Sequence, residues 1–190
     1  AVVISPFDSY PCSESGAGFQ CIPQLNGGGL DGIPELIMNI PMQRNFGTHE
    51  SMVFTFVTDA TDGNNIAAVR WVELRRSAGA DWALYQEGTF GPDDGLERFM
   101  SSIAIDEEGN ICLGYSVSSG STFTGLRATG RNVEDPLGEM TYAELIIREG
   151  QSTINSGGRF GDYSQMSVAP GGLSEFWFTS EYAGPADNTL

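Results

Sequence analysis

The chain has 190 residues, 40% of them hydrophobic, which is enough for one ordinary domain with a packed core. Its 25 acidic residues outnumber 9 basic ones, and a polyanion with a net charge of −16 repels phosphate, which argues against nucleic acid and anionic membranes as partners. All nine basic residues are arginines, and no apolar run reaches the roughly 18 residues of a membrane-spanning helix, so membrane insertion is not expected.

The first part of the chain carries two cysteines, Cys12 and Cys21, on either side of a loop rich in glycine and serine. This arrangement in an acidic, lysine-free chain favours a disulfide and an oxidising compartment, with two free thiols as the alternative. Metal binding by the pair is not expected, because no third and fourth ligand lie nearby. The remaining cysteine, Cys112, lies in a strand-like sequence and is expected to be a small buried side chain.

Strand patterns dominate the rest of the chain. The sequence "ICLGYSV" alternates large apolar residues with small ones, and "SMVFTFV" and "EFWFTS" alternate similarly. Further strands are predicted at Ile66–Arg75, Trp82–Phe90, Phe123–Arg131 and Tyr142–Arg148. Turn sequences such as "DATDGNN", "FGPDDG" and "DEEGN" separate them. Many short strands without a convincing helix indicate an all-β fold, and this pattern alone leaves sandwich, barrel and propeller open.

A repeated phrase favours the propeller. An arginine and a phenylalanine open "RNFGTHESMVF" at Arg44, "ERFMSSIAI" at Arg98 and "GRFGDYSQMSV" at Arg159, with spacings of 54 and 61 residues. An apolar strand, a turn and a second strand follow each phrase, and a propeller blade takes roughly 40–50 residues. The prediction is therefore a β-propeller of antiparallel four-stranded blades, of which this chain holds an incomplete set of about 3 to 4.

The same phrases predict the domain boundaries. Residues 1–43 would be the end of a preceding blade with the disulfide loop, 44–97 and 98–158 two blades, and 159–190 a partial blade with a C-terminal tail. Propellers typically need 4–8 blades to close, and open sheet edges invite association. Either this chain is part of a larger propeller or a partner chain completes it, and its strand-like start without a methionine suggests a processed or partial chain.

The repeated phrases also supply candidate anchor residues. We expect Arg44, Arg98 and Arg159 to fix the opening turns of the blades through carbonyl groups and local acids. His49, the single histidine, and Asp162 lie within the phrases and are expected to form hydrogen bonds in turns.

Other sequence features predict no catalytic residue. With one histidine, no G-x-S-x-G elbow and no H-E-x-x-H motif, the common nucleophilic and zinc-dependent mechanisms find no support. Arg127 and Arg131 could face a central cleft, but a solvated strand face is the expectation.

One turn is a candidate metal site. Asp59, Asp62 and Asn64 in "DATDGNN" place hard oxygen ligands on a glycine-containing loop, which suits Ca²⁺. The terminal glutamate of an EF-hand is missing, and an ordinary hairpin turn is the alternative. The sequence thus requires no cofactor and leaves Ca²⁺ as the candidate ion.

Several segments together resemble a known family: "SPFDSYPC" with "CIPQ", "MQRNFGTHES", "VRWVELRR", "WALYQEGTFGPDDGLERFMSSIAIDEEGNICLGYSVSS", "GRNVEDPLGEM" and "RFGDYSQMSV" with "FWFTSEY". They resemble the C-terminal part of large secreted bacterial proteins with a sialidase-like or WD40-like β-propeller. This resemblance spans nearly the whole chain and implies an exported, surface-associated protein. The sialidase Asp-box, Ser-x-Asp-x-Gly-x-Thr-Trp, does not occur, because "AIDEEGN" occupies a similar turn but lacks the tryptophan.

The expected function follows from the resemblance and the incomplete repeat. We expect a secreted or cell-surface propeller segment that acts as a non-enzymatic binding, adhesion or assembly module. The alternative is part of a sialidase-like glycoside hydrolase acting on surface glycans. Expected partners are the remainder of the propeller or a complementing chain, and further a surface polysaccharide or identical copies.

Overall fold

The computed structural model describes residues 1–11, 20–34, 36–60, 65–155, 157–171 and 174–185. Within this part the chain forms strands and no α-helix, which confirms the predicted all-β class. The strands are β1 (Gln20–Ile22), β2 (Leu30–Asp31), β3 (Met42–Asn45), β4 (Glu50–Asp59), β5 (Ala67–Arg76), β6 (Ala83–Phe90), β7 (Glu97–Ile105), β8 (Ile111–Ser119), β9 (Thr122–Arg131), β10 (Leu145–Arg148), β11 (Gln165–Val168) and β12 (Phe176–Thr179). Nowhere in these ranges is there a helix that could span a bilayer.

Two four-stranded sheets follow one another along the chain. The first sheet has the order β3-β4-β5-β6, and the second has the order β10-β9-β8-β7. Each is a meander in which sequential strands pair antiparallel. Two ribbons of two antiparallel strands, β1–β2 and β11–β12, complete the described topology. The antiparallel four-stranded sheets are as predicted.

The main core lies between the first and second sheets. Trp71 in β5 is 1% exposed and packs in one cluster with the large residues of β8. The alternation predicted for "ICLGYSV" is confirmed, since every second residue of this strand belongs to the cluster. These buried residues are Ile111, Leu113, Tyr115 and Val117 from β8, with Val53, Val69, Ile103 and Ile105 from neighbouring strands.

The other face of the second sheet is lined by small residues, and the β11–β12 ribbon packs on it. A Cβ atom at Gly114 would lie 2.6 Å from the Phe178 ring and 2.8 Å from the Met166 side chain, so glycine permits the close approach. The backbone N–H of Met166 donates to Ser102 Oγ at 2.8 Å. The second sheet is therefore sandwiched between the first sheet and this ribbon.

The outer face of the first sheet carries a separate apolar cluster, formed by Phe56, Val72 and Leu74 with neighbouring side chains. The segment 1–11 lies against this face, where the Phe7 and Phe56 rings are 4.9 Å apart. The layers thus run from this segment through the first and second sheets to the β11–β12 ribbon.

Two details differ from the strand predictions. The strand predicted at Tyr142–Arg148 is confined to Leu145–Arg148, because Tyr142 is held beside β9 by its own backbone contacts, with its carbonyl accepting from Thr129 Oγ1 at 2.7 Å. The first repeated phrase also contains an additional edge strand, β3, before the apolar strand β4. Arg44 lies in this edge strand and Arg98 lies in β7, whereas Arg159 lies ahead of β11.

Candidate functional site

Arg98 is the centre of a buried charge network at the interface of the two large sheets. Its side chain is fully buried, and its Nη2 and Nε atoms lie 2.7 Å from Asp94 Oδ2 and 2.9 Å from Glu144 Oε1. Burial disfavours its charge, but the hydrogen bonds and charges of Asp94 and Glu144 prevail and raise the pKa of Arg98. Nη1 also donates to the Leu96 carbonyl at 3.1 Å, so Arg98 fixes the loop between β6 and β7.

Glu144 joins this loop to β8 and β9. Besides Arg98, it accepts hydrogen bonds from the Tyr115 hydroxyl at 2.7 Å and from Arg127 Nη1 at 2.9 Å. Burial alone would raise the pKa of Glu144, but these donors outweigh it and lower the pKa. The pKa of Tyr115 is raised by burial and by the Glu144 charge, so the pair holds a neutral phenol and an ionised carboxylate at neutral pH.

This network joins a tyrosine and a glutamate to two arginines, and its burial is that of a structural clamp. Tyr115 and Arg98 are both 0% exposed. A substrate therefore cannot reach the phenol oxygen without separation of the sheets. The expectation that Arg127 and Arg131 lie on a solvated strand face is wrong. Arg131 is 2% exposed and donates to the Glu139 carbonyl at 3.1 Å, and Arg127 is held by Glu144.

The structure places the predicted anchor residues at three separate points. Arg44 Nε donates to the Ile105 carbonyl at 3.0 Å and so links β3 to the end of β7 in the second sheet. Arg159 forms a surface ion pair with Asp162. These arginines do not converge with Arg98 on one site, and their proposed role as blade anchors stays a prediction.

His49 closes a turn between β3 and β4. Its carbonyl accepts the backbone N–H of Phe46 at 2.9 Å, and its ring stacks on Phe46 with 4.9 Å between centroids. Burial, together with the nearby Arg75 charge, lowers the pKa of His49. The histidine is therefore neutral at neutral pH and occupies a turn of the first sheet.

Only part of the predicted Ca²⁺ turn lies within the residues that the structure describes. Asp59 ends β4, and its carboxylate accepts the backbone N–H groups of Asn65 at 2.8 Å and Ile66 at 3.4 Å. Asp62 and Asn64 lie outside the described residues. Across the described ranges, no three His, Cys, Asp or Glu side chains are grouped as metal ligands. Calcium binding therefore stays a prediction.

A carboxylate that sequence reasoning missed lies near this turn. Glu97, the first residue of β7, accepts the backbone N–H of Ala67 from the first sheet. Burial raises the pKa of Glu97 to about 7, and the Asp59 charge adds to the shift. The sequence gives no signal for this contact, because it joins residues from different sheets.

The cysteines divide into two groups. Cys12 lies outside the described residues, so the Cys12–Cys21 disulfide stays a prediction. The sequence predicts a small buried side chain at Cys112, and in the structure it is a free thiol that is half-buried. Burial raises the pKa of this thiol to about 11. Its side chain is left partly accessible because the β11–β12 ribbon covers the second sheet over Gly114 but leaves a cleft farther along β8 and β9.

Two surfaces of the stacked sheets thus contain cavities. The cleft beside β12 has a volume of about 500 Å³ and is lined by Cys112, Ala128, Gly130, Leu145 and Phe176 among others. The second cavity, of about 490 Å³, lies on the outer face of the first sheet. Its lining is almost entirely apolar and includes Val2, Ile4, Phe7, Leu36, Ile37, Phe54, Phe56 and Leu74.

No protein-family model, no curated protein and no solved structure matches this chain. The class of protein is therefore defined by the fold itself, as an all-β protein of antiparallel sheets packed face to face. Within this class, its distinguishing features are a buried charge clamp between the large sheets, a cleft of mixed polarity beside β12 and an apolar cavity on the outer face of the first sheet.

Proposed function

We propose that this chain is a segment of a β-propeller and that it works as a non-enzymatic binding and assembly module at the surface of the cell that exports it. Four-stranded antiparallel sheets are the blades of propellers. In support, β4 packs against β7 and β7 packs against β11, so the strands that follow the three repeated phrases are neighbours in successive layers. A succession of packed layers in chain order is compatible with a repeat of blades.

The main observation in favour of the proposal is an exposed apolar surface on the outer face of the first sheet. Around its apolar cavity, Leu36 is 59% exposed, Ile37 49% and Phe7 41%. A contiguous exposed apolar surface of this kind marks an interaction site. Because the inner face of the same sheet is buried by another four-stranded sheet, we assign a further antiparallel sheet of the same type as the occupant of the outer face. That sheet would belong to the remainder of the propeller or to a complementing chain.

Export is supported by the sequence. The resemblance to secreted bacterial propeller proteins and the predicted Cys12–Cys21 disulfide both favour a secreted or cell-surface location. Ca²⁺ at the "DATDGNN" turn and a surface polysaccharide as a further partner are compatible with this role, and no cofactor is needed for it.

The assembly role predicts self-association when no other sheet is present. Light scattering coupled to gel filtration should show a mass that rises with concentration across the micromolar range. Leu36→Glu places a charge in the apolar surface and should keep the chain monomeric. Val133→Glu is the matched control, because Val133 is also an exposed aliphatic residue, at 41%, but lies outside this cavity. A monomeric wild type, or equal behaviour of the two variants, would contradict the proposal.

A sialidase-like hydrolase is the second candidate, because such enzymes use several arginines and a tyrosine nucleophile activated by a glutamate. The contact of Tyr115 with Glu144, beside Arg98 and Arg127, is the observation that favours it. The burial of Tyr115 and Arg98 opposes it. Fluorogenic sialosides and other glycosides, incubated with the wild type and Glu144→Gln, separate the two functions. We expect no hydrolysis by either protein; turnover by the wild type that Glu144→Gln abolishes would favour the enzyme.

A further inference from the structure

The β11–β12 ribbon is two strands narrower than the sheet on which it packs. In the part of the chain that the structure describes, β12 pairs with β11 on one side and has no sheet neighbour on its other side. Ala169 N donates to the Glu175 carbonyl at 2.8 Å, so these two residues form a hydrogen-bonded pair of the antiparallel ladder. Because such pairs alternate along a ladder, the backbone groups of Phe176 and Phe178 point away from β11, towards the free edge.

The cleft of about 500 Å³ lies directly beside this edge. Its floor is the face of the second sheet, where Cys112, Ala128 and Gly130 present small side chains or none. Leu145, which is 64% exposed and pairs with Ala128, forms the far wall on β10. Phe176 forms the near wall, so the cleft combines an open row of backbone groups with an apolar floor.

We propose that this cleft accepts one additional β-strand, which pairs with the free edge of β12. Strand addition of this kind draws affinity from main-chain hydrogen bonds and specificity from pockets for alternate side chains. Residues opposite Phe176 and Phe178 would face the second sheet, as those phenylalanines do, and would fill the cleft with apolar side chains. The new strand continues the existing interface between the ribbon and the second sheet.

The electrostatics of the cleft define the partner further. Asp106 and Glu108 lie in its lining together with Arg131, which is 2% exposed, and the whole chain carries a net charge of −16. A strand with acidic residues would be repelled, whereas one with alternating apolar and neutral or basic residues is complementary. This inference rests on the proposed function, because the added strand would extend the ribbon towards a complete four-stranded blade.

The test uses a fluorescein-labelled synthetic peptide in which valine alternates with threonine and arginine, and a peptide of the same composition with contiguous valines. Anisotropy titrations at low micromolar protein should show tighter binding of the alternating peptide. Leu145→Asp, on the cleft wall, should weaken this binding roughly tenfold. The matched control is Ile146→Asp, because Ile146 is 52% exposed on the same strand but pairs with Arg127 and so faces the other way; its binding should match the wild type.

Cys112 provides a second readout, because its thiol lines the cleft. Modification of Cys112 by a maleimide, mapped by mass spectrometry at alkaline pH, should slow when the alternating peptide is bound. Equal affinity for both peptides, equal losses in both variants, or unprotected Cys112 would overturn the proposal. Self-association of the protein that Leu145→Asp abolishes would also overturn it, in favour of a second copy at this edge. Failure here leaves the Leu36 and Val133 comparison unaffected, so the two proposals fail separately.

Discussion

Replacement of Glu144 by glutamine tests the charge clamp between the large sheets. Glu144→Gln keeps the shape of the side chain but removes the negative charge that faces Arg98 and Arg127, and it brings an N–H₂ group towards donors. Removing one partner of a buried ion pair costs about 3–5 kcal/mol. Because Asp94 still neutralises Arg98, we expect the lower end, about 3 kcal/mol.

This loss is large enough to measure by two methods. For a domain of this size, 1 kcal/mol corresponds to about 2–4 °C in the melting temperature, so Glu144→Gln should melt about 6–12 °C lower at neutral pH. Urea unfolding followed by circular dichroism should give the corresponding free energy. Asp162→Asn is the control, because it removes an ion pair of the exposed Arg159, and it should melt at the wild-type temperature.

The pH dependence gives a further check on the same variant. The pKa of Glu144 is lowered in the folded protein, so its contribution to stability is complete above its ordinary value of about 4.5 and is lost as the pH falls through the folded value. The difference between the wild type and Glu144→Gln should therefore shrink in acid. A variant as stable as the wild type at neutral pH, or a difference that is constant into strong acid, would refute the clamp.

Three further changes test other contacts. Because burial raises the pKa of Glu97 to about 7, the folded protein holds a proton that the unfolded chain releases, so this group stabilises below about pH 4.5 and its contribution is lost as the pH rises through 7. Glu97→Gln should remove that part of the pH dependence of urea midpoints, and an unchanged dependence would contradict the burial. Arg44→Ala removes the hydrogen bond to the Ile105 carbonyl and should cost about 1 kcal/mol in urea unfolding, whereas no loss would mean that water replaces it. Gly114→Val forces a branched side chain against the Phe178 ring, so limited proteolysis between β10 and β11 should accelerate; wild-type resistance would show that the ribbon can shift.

The sequence predicts what depends on local periodicity. The alternation in "ICLGYSV" identifies both faces of β8, with large residues in the core and Gly114 under the ribbon, because side-chain direction in a strand has a period of two. The same rule places Met52, Phe54 and Phe56 on one face of β4, where all three join the outer apolar cluster.

Contacts set by the stacking of layers could not be predicted in this way. Glu144 meets Arg98 across 46 residues, and nothing near either residue in the sequence marks the other as its partner. The sequence around Arg127 is polar and predicts a solvated strand residue. In the structure, however, the Arg127 guanidinium is held in an ion pair with Glu144. The accessibility of Cys112 likewise depends on how far the ribbon extends over the second sheet, which is a property of the packed layers.

The three tryptophans lie in different layers. Trp71 is buried between the two large sheets, Trp82 lies beneath the Arg76 guanidinium on the outer side of the first sheet, and Trp177 on β12 is 54% exposed. Their intrinsic fluorescence should therefore include a blue, iodide-resistant component from Trp71 and a red, readily quenched component from Trp177. Separation of the large sheets would expose Trp71 and shift its emission to the red. The fluorescence of Trp71 therefore reports whether the two sheets remain packed together.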